Sequence, residues 1–362
     1  MLMVPWNSKK GQTQEPGPAG LSRPVFRYKK GNAAFLSSAL ALLLLLILTQ
    51  APGENARIEP HPRAGFGLSN PADPELWSGL LGASWYMNWN TAELDYRLPE
   101  FWQTVRINSK RAPGAGWPSP EDSAALARRM PGAVWVIGNE PDNIWQDNVT
   151  AEVYARLYHD YWTAIKAADP SAKIAIAGVS QATQLRMAYL ERVMAEYERQ
   201  YGEKLPVDWW NLHGYVLREE RGSWGTDIPP GFSENFGLLI EPEQHGDLAL
   251  FEQGIRSFRE WMARNGYRDY PLALTEFGLL MGPDFGYTPE VFAAYLTDTF
   301  TWLDQATDSQ TGYPADGNHL VQRWAWFSLR DELYSVSDLV DTKNGRLTPL
   351  GLAFRQFVLD HD

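Results

Sequence analysis

The chain has 362 residues, of which 44% are hydrophobic and 21% are charged, so it can bury a sizeable core. Its formal net charge of −12 at pH 7 disfavours nucleic acids and anionic membrane surfaces as partners. It contains no cysteine, which excludes disulfides, thiolate metal sites and cysteine nucleophiles.

The N-terminal region predicts a membrane anchor. Residues 1–32 are polar and basic and show no helical or strand period, which predicts a disordered cytoplasmic tail. Residues 33–50 carry no charge and are long enough to span a bilayer as a transmembrane signal anchor. The preceding basic residues place the rest of the chain outside the cell, as a single-pass protein of the cell membrane. A cleaved secretory signal is the alternative, and it would make the protein secreted.

The remaining chain predicts a linker and one catalytic-sized domain. Residues 51–78 contain several prolines and little periodicity, which predicts a stiff Pro-rich linker. Residues 79–362 contain no further linker or repeat, and their number suits a (β/α)8 TIM barrel. Predicted strands alternate with predicted helices, as in a parallel sheet. The strands are 82–89, 103–107, 134–137, 173–179, 207–213, 271–276 and 320–327, and the clearest helices are 150–168, 183–201 and 247–265.

Seven predicted strands are one fewer than a closed barrel needs. The deficit falls between Ile107 and Met130, where prolines and glycines interrupt the pattern. Either a short strand lies there or the barrel is irregular on its N-terminal side.

Two of the predicted strands end on a glutamate. The apolar run from Val134 stops at Gly-Asn-Glu-Pro, which places Glu140 at its carboxyl end, and the run from Pro271 ends on Glu276. Ligands bind at the carboxyl ends of parallel strands, so both glutamates are candidate catalytic groups. Glycoside hydrolysis needs two such carboxylates, one to protonate the leaving oxygen and one to attack or to activate water. For Glu140 alone, a surface turn is the alternative interpretation.

Asn139-Glu140-Pro141 and Thr275-Glu276-Phe277 resemble the acid/base and nucleophile strands of the retaining glycoside hydrolases of clan A. The resemblance implies that β-glycosidic bonds are cleaved by double displacement, with Glu140 as acid/base and Glu276 as nucleophile. It also implies that these residues end the fourth and seventh barrel strands.

A second motif narrows the resemblance. Trp85, Tyr86, Asn88 and Trp89 end the first predicted strand and resemble the opening motif of the endo-β-1,3-glucanase-like family 128, whose fourth strand also ends in Asn-Glu-Pro-Asp. On this basis Trp85 and Asn88 are expected to bind substrate. A related barrel group is the alternative assignment, because Asn-Glu-Pro recurs in families with different substrates.

The resemblance assigns further substrate-binding and supporting roles. Asn139 is expected to bind the sugar 2-hydroxyl, His213 and Tyr215 to orient the nucleophile, Trp326 to form an aromatic platform, and Arg106 to support the nucleophile. Each role has a structural alternative. Asn139 could instead stabilise a turn and His213 could be a core histidine. Trp326 could be a core aromatic residue, and Arg106 could form an ordinary ion pair. Trp324 shares a strand face with Trp326, so one of the two is expected to be core.

The sequence indicates no cofactor and no metal site. The six histidines lack metal-ligand spacing, and the chain has no phosphate-binding glycine loop and no Gly-x-Ser-x-Gly motif. The expected partner is a carbohydrate, with residues 216–246 as a substrate-binding loop. The alternative function is a membrane-anchored, non-catalytic carbohydrate-binding barrel. Retention of both glutamates favours the enzyme, and the motifs fit either endo or exo cleavage.

Overall fold

The computed structural model describes residues 53, 56–95, 98–108 and 113–361. The predicted cytoplasmic tail and the predicted transmembrane segment, 1–32 and 33–50, lie outside these residues. Among the helices that the structure does describe, none combines the length and the apolar character needed to cross a membrane.

Eleven strands are present in the described part of the chain. They are β1 (His61–Gly67), β2 (Ala83–Met87), β3 (Glu100–Ile107), β4 (Gly116–Trp117), β5 (Val134–Ile137), β6 (Lys173–Ile176), β7 (Trp210–His213), β8 (Leu272–Phe277), β9 (Arg323–Trp326), β10 (Val340–Asp341) and β11 (Arg346–Leu347). Eight of them form a parallel sheet in the order β6-β5-β3-β2-β1-β9-β8-β7. Parallel bridges between Ala175 and Trp209 and between Val179 and Leu212 join the two ends of the sheet. The predicted (β/α)8 barrel architecture is therefore confirmed.

The strand missing from the sequence prediction is β1, which lies inside the predicted linker 51–78. Its sequence, His-Pro-Arg-Ala-Gly-Phe-Gly, contains a proline and two glycines and lacks an apolar run. The glycines make room inside the barrel: a Cβ on Gly65 would lie 2.6 Å from the Trp85 indole, and one on Gly67 would lie 2.7 Å from the Trp89 ring. The domain boundary at residue 79 is therefore wrong, because the barrel begins with β1.

Among its described residues, 108 and 113–129, the stretch between Ile107 and Met130 contributes no barrel strand. It carries β4, a two-residue strand that pairs antiparallel with the end of β3. With β1 included, the barrel has its eight strands, and neither an irregular N-terminal side nor a hidden strand in this stretch is needed. Counting from β1 makes β5 the fourth barrel strand and β8 the seventh, as predicted for the two glutamates.

Seven α-helices lie in the described part of the chain. They are α1 (Pro74–Leu81), α2 (Pro120–Arg129), α3 (Ala151–Ala168), α4 (Gln184–Tyr201), α5 (Leu248–Arg264), α6 (Pro289–Gln305) and α7 (Pro349–Asp360). The predicted bounds of α3, α4 and α5 agree with these to within one residue at each end. Asp73, Ser119, Thr183, Asp247 and Thr348 cap helices by accepting hydrogen bonds from first-turn N–H groups.

Apolar side chains fill both the inside of the barrel and the layer between barrel and helices. The inner cluster consists of Trp85, Met87, Trp102, Val134, Val136, Ala175, Ala273 and Ala325. The outer layer contains the alternate residues of the same strands, including Trp135, Ile137, Trp324 and Trp326. Because strand side chains alternate, this packing fixes which residues at the carboxyl ends point into the barrel mouth.

Candidate active site

Glu140 lies in the tight turn that follows β5. Gly138 and Glu140 both have positive φ, 98° and 44°, and the Glu140 N–H donates to the Gly178 carbonyl at 3.1 Å. A non-glycine residue in this region of φ is strained, and such strain concentrates at functional sites. The Glu140 carboxylate is 1% exposed and accepts a hydrogen bond from Asn143 Nδ2 at 2.7 Å.

Glu276 lies on β8 and is 2% exposed. Its Oε1 accepts a hydrogen bond from Trp89 Nε1 at 2.6 Å, and its Oε2 accepts one from the Tyr215 hydroxyl at 3.3 Å. Burial raises the pKa of Glu276, and the nearby Glu140 raises it further, while His213 and the two donors oppose the increase. The carboxyl group is thus held by donors that favour its ionised form in a site that disfavours charge.

His213 joins the two glutamates. Its Nδ1 lies 2.7 Å from Glu140 Oε1 and its Nε2 lies 3.5 Å from Glu276 Oε1. The ring packs over Gly178, where a Cβ would come within 2.4 Å of it. Burial alone would lower the pKa of His213, but the two carboxylates outweigh burial and raise it. A proton can therefore be held on the ring between the carboxylates.

Ligand atoms of Glu140, His213 and Glu276 all lie within 4.8 Å of one another, and in the described residues they are the one group close enough to hold a metal ion. The two ring nitrogens face different glutamates, so a single ion can use only one of these contacts. The arrangement is better suited to sharing a proton than to holding a cation.

A cleft of about 550 Å³ opens at the carboxyl ends of the barrel strands, and Glu276, Asn139, Asn88, Trp89 and Arg106 all line it. Four of these five were expected at the substrate site or in the catalytic pair. Trp89 was part of the opening motif, but its role as a donor to Glu276 was not predicted. Its φ of 54° turns the chain after β2 so that the indole reaches the catalytic carboxylate.

Arg106 does not contact Glu276, which corrects the expected role. It lies on β3, the third barrel strand, and donates to Asp147 Oδ1 at 3.0 Å and to Gln146 Oε1 at 3.3 Å. Buried Asp147 also accepts from the Asn139 N–H at 2.7 Å. Arg106 therefore positions the turn that carries Asn139 and Glu140, and it supports the predicted acid rather than the nucleophile.

Trp85 and Trp326 are core residues, so their predicted substrate contacts are wrong. Trp85 is fully buried inside the barrel, packs against Trp102 with ring centroids 4.6 Å apart, and donates to the Arg63 carbonyl. Trp326 lies on the outer face of β9, between the barrel and the helices. There it packs against Phe277 and donates to the Ser337 carbonyl. The next residue, Phe327, is the one that turns inward and lines the cleft.

A buried ion network lies behind Glu140. Arg186, at the start of α4, pairs with Asp142 at 3.1 Å and with Glu219 at 2.8 Å, and all three side chains are 0% exposed. Asp142 also accepts from the Ser180 hydroxyl at 2.9 Å. The network ties the Glu140 turn to the loop after β7. Its position could not be read from the sequence, because Arg186 is 44 residues from Asp142 and 33 residues from Glu219 along the chain.

Residues 216–246 form the predicted long loop, but its aromatic side chains Trp224, Phe232 and Phe236 do not line the cleft. Phe232 is buried against Tyr189 and Arg192, and Phe236 is 63% exposed. Trp224 packs on the cluster that contains Tyr215 and Phe327. Trp224 and Phe232 thus anchor the loop to the barrel.

No family model and no curated protein matches the chain. Several solved structures share its fold. An endo-β-1,3-glucanase of family 128, subgroup I, from Amycolatopsis mediterranei, in complex with laminaritriose, is 18% identical, with a TM-score of 0.54 over 82% of this chain and 100% of that one. A subgroup II endo-β-1,3-glucanase from Sorangium cellulosum is 17% identical, with a TM-score of 0.55 over 81% and 97%.

A third structure of this fold is a curdlan-specific exo-β-1,3-glucanase, subgroup III, from Blastomyces gilchristii, which was solved with glucose. It is 17% identical, with a TM-score of 0.54 over 82% of this chain and 99% of that one. The chain thus has the barrel fold of the family 128 glycoside hydrolases, the family that its sequence motifs resemble.

Proposed function

We propose that the chain is a glycoside hydrolase that cleaves a β-1,3-glucan or a related neutral β-glucan with retention of configuration. The observation that carries the proposal is the pair of buried glutamates at the ends of the fourth and seventh barrel strands, with carboxylate oxygens within 4.8 Å of each other. Retaining enzymes hold their carboxyl groups about 5 to 5.5 Å apart, whereas inverting enzymes need roughly 6.5 to 9.5 Å to admit a water molecule.

The hydrogen bonds support the division of roles. The indole N–H of Trp89 donates to Glu276 Oε1 at 2.6 Å, and a donor at this position favours the ionised form of the carboxyl group that has to act as nucleophile. In the proposed first step the Glu276 carboxylate attacks the anomeric carbon, while Glu140 gives its proton to the departing glycosidic oxygen. In the second step Glu140 takes a proton from water, the resulting hydroxide oxygen bonds to the anomeric carbon, and the bond to Glu276 breaks.

His213 supports this cycle through its contact with Glu140 at 2.7 Å. A protonated ring donates to Glu140 when that group is ionised, and it balances the charge of Glu276 before attack. Its proposed role is to position both carboxylates and to hold positive charge between them. Asn139, which lines the cleft beside Glu276, is proposed to bind the substrate close to the cleaved bond.

A neutral glucan fits the charge of the cleft. Arg106 is paired with Asp147, so this wall presents little net charge, and the net charge of −12 disfavours acidic polysaccharides. The solved structures with the same fold are β-1,3-glucanases of both endo and exo type. A β-1,3-glucan is therefore the first substrate to test.

The direct test is hydrolysis of a panel of β-1,3-, β-1,4- and mixed-linkage glucans, mannan and xylan by the chain and by three variants. Glu276→Gln and Glu140→Gln are each expected to lower kcat by about 10³-fold or more, because each removes a group that takes part in bond breaking. Glu260→Gln on α5 is the matched control, since its side chain is 58% exposed and lies outside the cleft. Binding without hydrolysis would favour the non-catalytic carbohydrate-binding barrel instead.

We also propose that residues 33–50 anchor the barrel to the cell membrane, on the strength of their uncharged sequence and the basic residues before them. An anchored chain stays with membranes during alkaline extraction, and a version that starts at residue 51 is released. Release of the full-length chain, or its recovery from the medium without residues 1–50, would contradict the anchor.

A further inference from the structure

Trp117 is an exposed tryptophan in the wall of the cleft. Its side chain is 44% exposed, and it lines the same cleft as Glu276. Of the large apolar side chains that are well exposed in the described part of the chain, it is the one that lines this cleft. The opening motif did not include it, and the catalytic steps above do not use it.

The backbone of Trp117 is held in place on both sides. β4 pairs with the end of β3, with Trp117 opposite Arg106 and Gly116 opposite Ile107. Gly116 packs so closely on Tyr161 that a Cβ would lie 2.1 Å from the tyrosine oxygen, and the Tyr161 hydroxyl donates to the Pro118 carbonyl. An aromatic side chain that is exposed on a fixed backbone is preorganised for a ligand, because little backbone freedom is lost on binding.

The polar groups beside Trp117 are largely paired with one another. Arg106 donates to Asp147 and Gln146, and Asn139 donates from its side chain to Gln146 at 3.3 Å. Asn108 donates to the Asp147 carbonyl at 2.9 Å. Beside these paired groups, the exposed indole of Trp117 offers a ligand an apolar surface, which suits an uncharged ring with an apolar face of C–H groups.

We propose that Trp117 forms a sugar-binding subsite, separate from the two glutamates, which stacks on one neutral hexose unit of a longer substrate. The sugar class in this proposal rests on the proposed function, but binding at Trp117 does not require turnover. The subsite favours substrates long enough to reach both the indole and Glu276. Chain length thus becomes part of the specificity of the cleft.

The test measures binding in a Glu276→Gln background, which keeps substrates intact. Isothermal titration with β-1,3-linked glucose oligomers of two to six units gives the affinity gained with each added unit. Trp117→Ala is expected to weaken binding of the six-unit oligomer by about tenfold, as for a tryptophan that anchors an interface. Trp117→Phe is expected to keep part of the lost affinity, because the ring face is retained. Phe236→Ala is the matched control, since Phe236 is 63% exposed and lies outside the cleft.

Unchanged affinity of Trp117→Ala for the six-unit oligomer would overturn the subsite. An equal loss of affinity in Trp117→Ala and Trp117→Phe would also overturn it, and so would an equal loss in Phe236→Ala. Failure of the Glu276→Gln parent to bind any oligomer would overturn it as well. The proposed function fails in a different way: the unmutated chain would bind the oligomers through Trp117 and leave them uncleaved. Melting temperatures of the variants within about 2 °C of the parent show that the fold is intact.

Discussion

His245 is predicted to make the stability of the barrel fall in mild acid. The side chain is 1% exposed, its Nδ1 lies 2.8 Å from the Val216 carbonyl, and the Leu280 N–H donates to its Nε2 at 2.8 Å. A carbonyl only accepts and an N–H only donates, so the neutral ring with its proton on Nδ1 satisfies both partners. Burial lowers the pKa of His245 to about 4.

The size of the effect follows from this pKa. Between pH 6.5 and about 4 the unfolded chain binds a proton at His245 and the folded chain does not, so stability falls as the pH falls through this window. Each tenfold change in proton affinity is worth about 1.4 kcal/mol, which gives a loss of ~3 kcal/mol across the window. A protonated ring can no longer accept the hydrogen bond from the Leu280 N–H. The link between the loops that follow β7 and β8 is therefore weakened.

His245→Asn is the perturbation that tests this reasoning. Asparagine keeps a donor for Val216 but leaves the Leu280 N–H without its acceptor, which costs about 1 to 3 kcal/mol at pH 7. Urea unfolding at pH 7, 5.5 and 4 measures the free energy of unfolding of both proteins. The stability advantage of the unmutated chain should fall by ~3 kcal/mol from pH 7 to pH 4, so that it disappears or reverses at pH 4, because only the unmutated chain carries this titration. A difference that stays constant with pH would refute the reasoning.

Three further predictions concern the site and its supports. Glu276→Gln should raise the free energy of unfolding in urea more at pH 7 than at pH 4. Burial raises the pKa of Glu276, so its ionised form destabilises the fold only above pH 4.5. Equal effects at both pH values would contradict this. Arg186→Gln should cost about 3 kcal/mol or more in the same measurement, since it leaves Asp142 and Glu219 as buried, uncompensated charges, and a loss below 1 kcal/mol would be inconsistent with the network. Trp89→Phe removes a hydrogen-bond donor to Glu276. It should lower kcat about 10- to 100-fold and move the acid limb of the pH–kcat profile to higher pH. An unmoved acid limb would count against this contact.

The parts of the fold that were predictable have strong local signals. The β5 sequence Val-Trp-Val-Ile is buried on both faces and stops at Gly138, and α3 and α4 carry long amphipathic patterns, so their bounds could be read with small error. β1 lacks such a signal because its inward positions, Gly65 and Gly67, are determined by the tryptophans that they accommodate. Those tryptophans come from the next strand and the turn after it, so the constraint is tertiary and leaves no local pattern.

The same distinction explains the site residues. Glu140 and Glu276 could be found because each ends an apolar run, and strand ends meet at one edge of a parallel sheet. The roles of the aromatic residues depended on which strand face each residue occupies, and a shift of one residue placed Trp326 in the core and Phe327 in the cleft. Trp117 gave no signal in the sequence, since its exposure depends on the short pairing of β4 with β3.

The most direct test of the central claim is proton NMR of the sugar first released from a β-1,3-linked glucose oligomer by the unmutated chain. A retaining pair formed by Glu140 and Glu276 releases the β-anomer first, and the α-anomer appears only later through mutarotation. Release of the α-anomer first would contradict the covalent step at Glu276 and would require a water molecule between the two carboxylates. Absence of any cleavage of the glucan panel would contradict the catalytic role of the pair itself.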